Sequence, residues 1–370
     1  MKILVTGGCG FVGSHLVDRL VELGHRVRAY DILEPQVHCG KKPSYLNKGA
    51  EYIFADVRDK SKLAAALRNI EVVFHQAAQV GVGQSMYEIE KYVSHNTLGT
   101  AGLLDLIING KNKVRKIVVA SSMSIYGEGA YRCRACGPVY PLLRKERQLK
   151  RRDWRMSCPS CGKKISPAPT SEDKPLFPTS VYATSKRSQE ELCLKVGAAY
   201  KIPTVALRYF NIYGPRQSLN NPYTGVAAIF LSRVKNNRAP LIFEDGRQSR
   251  DFIYVTDIVA ANILAMNKRQ ADYGFFNVGT GISRSIEQIA RAIISLCGKR
   301  LQPKALNKFR AGDIRHCYAD ISRIKRSLGF CPQVSFDEGM RRLIAWSAGQ
   351  EARDLTQKAQ AELKKRGLAE

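Results

Sequence analysis

Tyr182-Ala-Thr-Ser-Lys186 places a phenol and an ammonium four residues apart, on one face of a helix. Such a pair can take the proton of an alcohol while a hydride leaves the same carbon. A free phenol, with a pKa of about 10, is too weak a base at neutral pH. A neighbouring cation favours the phenolate and brings it into working range. The run Ser121-Ser-Met-Ser-Ile-Tyr-Gly127 adds hydroxyls that can hydrogen-bond the oxygen losing its proton. Ser122 is the catalytic candidate and Ser124 a substrate contact. A Tyr and a Lys at this spacing occur by chance on many helices, so their weight depends on whether the chain also holds a hydride acceptor.

The first thirteen residues predict one. Met1–Gly13 reads as a short apolar strand, then glycines at Gly7, Gly10 and Gly13 opening into a helix that begins with Phe11 and Val12. Strand, glycines and helix in this order form the dinucleotide fingerprint. The glycines permit a tight turn and close approach to a pyrophosphate, and the helix N-terminus offers free N–H groups. Asp31 ends the second predicted strand, where a carboxylate accepts from ribose hydroxyls and repels a 2′-phosphate, which favours NAD over NADP. Asp56 and Val57 follow the third strand, with Asp56 in reach of the adenine amine. Ala77, in His75-Gln-Ala-Ala78, keeps the end of the fourth strand slim beside the cofactor.

The elements that must position these groups alternate along the chain. Strands are predicted over 3–5, 26–30, 52–55, 72–75, 117–120 and 204–207. Helices are predicted over 11–23, from a Ser61 cap to Leu67, and over 181–200. Short apolar strands alternating with helices predict a doubly wound parallel sheet of the Rossmann type, class α/β. The expected division is an NAD-binding part over 1–128, an insertion over 129–169, and the rest of the NAD-binding part, with the Tyr/Lys helix, over 170–210. A smaller α/β substrate-binding region spans 211–350, and a charged helix or frayed tail spans 351–370.

The insertion carries its own chemistry. Cys133-Arg-Ala-Cys136-Gly and Cys158-Pro-Ser-Cys161-Gly are two knuckles, each followed by a glycine that permits a turn aiming backbone N–H groups at sulfur. Four thiolates suit a closed, structural Zn²⁺ site in a zinc ribbon, with iron in a rubredoxin-like site as the alternative. The segment has too few apolar residues to fold without metal. It leaves the chain between Ser122 and Tyr182, so a basic lid over the active site, a peripheral decoration and a nucleic-acid-binding ribbon are all open readings. The other six cysteines are expected to be small packing residues.

The net charge of +27 over 370 residues favours anionic ligands. A nucleotide diphosphate satisfies it, which makes a nucleic-acid partner an unneeded assumption. No apolar run approaches the ~20 residues of a membrane span, and Ile3-Leu-Val5 runs directly into glycines, unlike a signal peptide. The expectation is a cytoplasmic protein without a membrane partner.

On these residues the chain resembles the extended short-chain dehydrogenases/reductases, in the nucleotide-sugar epimerase and dehydratase family. Arg208–Arg216 (RYFNIYGPR), Asp245–Asp257, Asn277-Val-Gly-Thr-Gly281 and Gly312–His316 also fit. The resemblance implies that Asn211, Arg250 and Arg315 contact the diphosphate or ribose of a nucleotide-sugar substrate, and that the chain is a homodimer. Family members that dehydrate or decarboxylate carry a carboxylate after the catalytic hydroxyl. Here Met123 and Ser124 follow Ser122, so the resemblance implies 4-epimerisation with bound NAD. A 4,6-dehydratase, a reductase and an epimerase at another carbon are the nearest alternatives. A dinucleotide-sensing scaffold with a nucleic-acid- or protein-binding ribbon is the non-catalytic one. The run from Tyr126 to Cys133 (YGEGAYRC), leading into a zinc ribbon, is most similar to the dTDP-L-rhamnose 4-epimerase group of that family.

Overall fold

The computed structural model describes residues 1–370. Seven strands form one parallel sheet: β1 (Lys2–Thr6), β2 (Arg26–Asp31), β3 (Glu51–Phe54), β4 (Val72–His75), β5 (Lys116–Ser122), β6 (Thr204–Tyr209) and β7 (Phe275–Val278). Their order is β7-β6-β5-β4-β1-β2-β3. The chain winds outward from β1 to β3, then returns through β4 on the other side. A crevice forms where the winding direction switches, at the carboxyl ends of β1 and β4.

Alternation along each strand divides the core between the two faces of the sheet. Ile3, Val5, Phe74, Val118 and Leu207 join a 26-residue cluster with Leu16, Val17 and Leu20 of the Phe11–Glu22 helix. Leu4, Val73, Val119 and Ala206 join a 16-residue cluster on the opposite face with Cys193 of the Val181–Ala199 helix. Both faces are covered, so the strands read as continuous apolar runs.

The remainder builds a second lobe. Its 19-residue core draws on the helices Val226–Lys235, Ile286–Leu296 and Phe336–Ser347. Asn211–Tyr213 pairs in parallel with Phe252–Tyr254, and Ser249-Arg250 with His316-Cys317. The insertion is a three-stranded ribbon of Ala130–Cys133, Gly137–Val139 and Ser166–Ala168, with one short helix, Glu146–Lys150.

Several sequence expectations need correction. Asp59, not Ser61, caps the Lys60–Ala66 helix: its carboxylate accepts from Lys62 N–H, and Ser61 donates to that same carboxylate. Of the six cysteines outside the quartet, Cys9, Cys193 and Cys317 are buried and Cys297 is half-buried against the second core, but Cys39 and Cys331 are exposed and packing does not explain them. The tail is not frayed. Thr356–Lys365 is a helix that buries Ala359 and Leu363, and Ala369 bridges to Arg310. No helix is long and apolar enough to cross a membrane.

Candidate active site

A cavity of about 470 Å³ opens at the switch point. Gly7, Gly10, Phe11, Val12 and Gly13 line it from the β1 turn, Asp31 from β2, Asp56 and Val57 after β3, and Ala77 after β4. Ser122, Ser124, Tyr182, Lys186 and Asn211 line the same space. Arg250 and Arg315 do not.

The glycine turn fits a dinucleotide by its own geometry. Gly7 has φ +69°, and a Cβ on it would lie 2.8 Å from Ala77 N; a Cβ on Gly13 would lie 2.0 Å from Gly7 O. The helix opens on Gly10 without a side-chain cap and without an acid in its first turn. Its free N–H groups therefore face the cavity, as an anion site requires. Asp31 accepts from Cys9 N–H at 2.9 Å and Leu33 N–H at 2.8 Å, which fixes its carboxylate at the rim. Asp56 is clasped by Arg58, at 2.6 Å to Nη2. That pairing occupies the carboxylate expected at the adenine.

Ser122 ends β5 and caps the turn that follows. Its Oγ accepts from Ser124 N–H at 3.2 Å and from Ser124 Oγ at 2.9 Å, leaving its own proton to give. Ser180 caps the Val181–Ala199 helix by accepting from Ala183 N–H, which sets Tyr182 in the first turn. Burial pushes the Tyr182 phenol up, and the Ser122 hydrogen bond pulls it down. Lys186 Nζ donates to Gln189 Oε1 at 2.8 Å, and burial pushes its ammonium down to about 8. The expected help from Lys186 to the phenolate is thus not made in this conformation, because the ammonium is turned to Gln189. Gln189 in turn donates to Thr100, and His75, pushed down to about 3 by burial, bridges Thr6 and Thr100. His75 is a neutral strut beneath the site.

A buried network ties the two catalytic elements together. Arg208 of β6 makes a paired contact with Glu190 of the Tyr/Lys helix, at 2.6 Å, and donates to Tyr126 Oη at 2.9 Å. Glu190 also accepts from Ser121 Oγ at 2.6 Å.

Two acceptors at the second-lobe end of the cavity have no protein partner: Asn211 Oδ1 and Gln217 Oε1. An unpartnered buried acceptor is costly unless a ligand supplies a donor. Asn211 was expected there; Gln217 and the rest of the lining loop 217–227 were not. That loop carries no motif, and its only signal is a run of polar residues between a strand and a helix. Arg250 and Arg315 are engaged elsewhere. Arg250 donates to the carbonyls of Ser249, Ile314 and Arg315, and Arg315 is ion-paired with Glu244 and Asp245 at 2.7 Å each. Two carboxylates of the same lobe thus hold the Arg315 fork.

The four cysteine sulfurs lie within 4.8 Å of one another, and Cys133 Sγ is 3.6 Å from Cys161 Sγ. A tetrahedral Zn–S₄ site has sulfurs about 3.8 Å apart, given a Zn–S bond of about 2.3 Å. Gly137 and Gly162 have φ of +74° and +71° with open space around them. The resulting turns aim Cys161 and Ser160 N–H at the Cys158 sulfur and hold its thiol down at about 6, and Cys136 and Ala135 N–H lower Cys133 likewise. Cys136, donating to its neighbours' sulfurs, is pushed up to about 12. Four thiolates cannot all ionise together without a cation among them, and the donor set fits Zn²⁺. None of residues 129–169 lines the cavity.

The profile of the NAD dependent epimerase/dehydratase family matches residues 3–142 and 154–279. The chain is 35% identical, over 94% of its length and 95% of the relative's, to a dTDP-L-rhamnose 4-epimerase of Burkholderia thailandensis. The fold is similar to a UDP-glucose 4-epimerase of Thermotoga maritima solved with UDP-glucose, at TM-score 0.78 and 31% identity, covering 94% of this chain and 99% of that one. It is also similar to a UDP-glucose 4-epimerase of Thermus thermophilus solved with NAD, at TM-score 0.75 and 29% identity, covering 95% and 100%.

Proposed function

The chain belongs to the NAD dependent epimerase/dehydratase family, and from that premise we propose that it inverts C4 of a nucleotide-diphosphate sugar. Bound NAD supplies the hydride acceptor and donor. Tyr182 takes the C4 hydroxyl proton as hydride leaves C4, and returns it to the same oxygen when hydride comes back to the other face of the turned 4-keto sugar. Ser122 donates to the same oxygen and holds it at the phenol. Lys186, once turned from Gln189, steadies the phenolate by charge. Gly7, Gly10, Phe11, Val12, Gly13, Asp31, Val57 and Ala77 cradle the cofactor, and Asn211 and Ser124 hold the substrate. We assign Arg250 and Arg315 to holding the second lobe together.

The observation that carries the epimerase reading is what flanks Ser122. The carboxylates lining the cavity are Asp31, Glu34 and Asp56. Each is already engaged: Asp31 by backbone N–H groups, Glu34 by Gln79 and Lys91, Asp56 by Arg58. No free acid stands beside Met123 and Ser124 to expel water or remove a second proton, so one base and one hydride carrier are the available machinery. The test is NMR of the purified protein with dTDP-L-rhamnose, and separately with UDP-galactose, without added NAD. The C4 epimer appears from one of them, and Tyr182→Phe abolishes it. No epimer from either sugar, with NAD⁺ then added, overturns the assignment for both.

We further assign one Zn²⁺ per chain to Cys133, Cys136, Cys158 and Cys161, countable by elemental analysis. A homodimer through the helical run 82–109 and the Val181–Ala199 helix is supported by Ile89, Val93 and Leu98, which stand 54%, 43% and 60% exposed. The cytoplasm, with its pool of nucleotide sugars, is the setting that suits this activity.

A further inference from the structure

The zinc ribbon is built into the joint between the two lobes. Both of its stems grip one stretch of the second lobe, residues 313–320. On the way out, the Glu128 carboxylate accepts Arg315 N–H and His316 N–H, each at 2.7 Å, and Tyr131 Oη at 2.6 Å. Gly129 N–H donates to His316 O at 2.8 Å. A Cβ on Gly129 would lie 2.5 Å from that oxygen, so the approach requires glycine. On the way back, Thr170 bridges to Ala319 and donates from its N–H to Tyr318 O at 2.8 Å. Farther along, Arg144 of the ribbon pairs with Glu244 at 2.8 Å, and Glu244 pairs in turn with Arg315. Leu149 and Trp154 of the ribbon bury Phe309 between them.

The outgoing stem is also the direct continuation of the catalytic turn, since Ser122, Tyr126 and Glu128 lie on one short stretch of chain. We propose that the metal-loaded ribbon is a positioning brace: it sets the catalytic turn of the NAD-binding lobe against the 313–320 segment of the substrate lobe. This rests on the Zn²⁺ assignment made above. The ribbon's own core is six residues, two of them metal-ligating cysteines, so losing the metal releases both stems together. Coupling between two such regions typically changes affinity by about fivefold or more. Metal loss should therefore weaken nucleotide-sugar binding by about that factor and leave NAD occupancy unchanged.

The experiment is amide hydrogen exchange on the full protein, before and after chelation, alongside its metal content. With one Zn²⁺ per chain at the start, the brace requires faster exchange at 122–131 and 313–320 as well as in the ribbon, with β1 and β4 unchanged. Faster exchange confined to 132–166 overturns the brace and leaves the metal site standing. A protein that purifies without metal, its ribbon already protected, overturns both. Cys136→Ser with Cys161→Ser, which changes only exposed ligands, should reproduce the chelated pattern. Glu128→Gln keeps the metal but replaces one of the two acceptor oxygens with an NH₂ group, which sets donor against donor at one side of the clasp. It should loosen 313–320 and raise KM more than it lowers kcat, and an unchanged KM in that variant counts against the brace.

Discussion

The NAD-binding lobe and the ribbon each hold a handful of polar atoms in fixed positions, and they do so by different physics. In the first, clusters of 26 and 16 buried residues clamp the sheet from both faces. The site is then made of strand ends and a glycine turn that the core leaves no freedom to move. In the ribbon the corresponding cluster has six residues, and the sulfurs meet because backbone N–H groups and tight turns aim them. One region would keep its shape without its ligand. On the Zn²⁺ assignment proposed above, the other needs a cation to neutralise its thiolates. A site backed by apolar burial can afford to be empty between turnovers, whereas a site backed by charge cannot.

The sharpest way to break that contrast is Tyr182→Phe. It should lower kcat by about a hundred- to ten-thousandfold, with NAD occupancy and zinc content unchanged, measured by sugar NMR and elemental analysis. A fall in zinc content would mean that the two regions share their stability after all. Gly13→Ala comes next, because its Cβ would meet Gly7 O at 2.0 Å. Overpacking of this kind costs about 1–3 kcal/mol, and it should appear as loss of retained NAD and a lower Tm for the sheet, with the ribbon's exchange pattern intact. The smallest effect is a pH dependence. Lys186 is held near 8 by burial, below its unfolded value. The unfolded state therefore binds the proton more tightly, and stability gained from this group rises as pH climbs from about 8 toward 10. In urea unfolding of NAD-free protein, wild type should gain on Lys186→Met across that window. A difference flat with pH would show that Lys186 is not desolvated in the free site.

What could be read from the sequence was whatever local chemistry decides. Gly7, Gly10 and Gly13 act within one turn, Tyr182 and Lys186 within one turn of helix, and each cysteine pair within one knuckle. All of them gather as the spacing implied. Arg250 and Arg315 show the limit. Their types suit a diphosphate, but direction is set by Glu244, Asp245 and the carbonyls of 314–315, and for Arg315 those acids come from some 70 positions away. No window of sequence contains that competition. Gln217 was missed for the opposite reason, since an amide in a polar loop looks like solvent-facing chain until the cavity is seen. The cap on the Lys60–Ala66 helix failed by two residues because Asp59 and Ser61 are both good cap types, and only the backbone geometry chooses between them.

The pairing of Ala130 with Ala168 across the ribbon's base has a consequence for how the protein assembles. Ser122 and Tyr182 are about sixty residues apart along the chain, and closing so long a loop is slow and entropically unfavourable. A ribbon already folded around its metal shortens the free path to about twenty residues, which lowers the closure cost by about 1 kcal/mol. The metal would then act before any substrate is met, as a stitch in the nascent chain, and refolding of the sheet should be faster when zinc is present from the start.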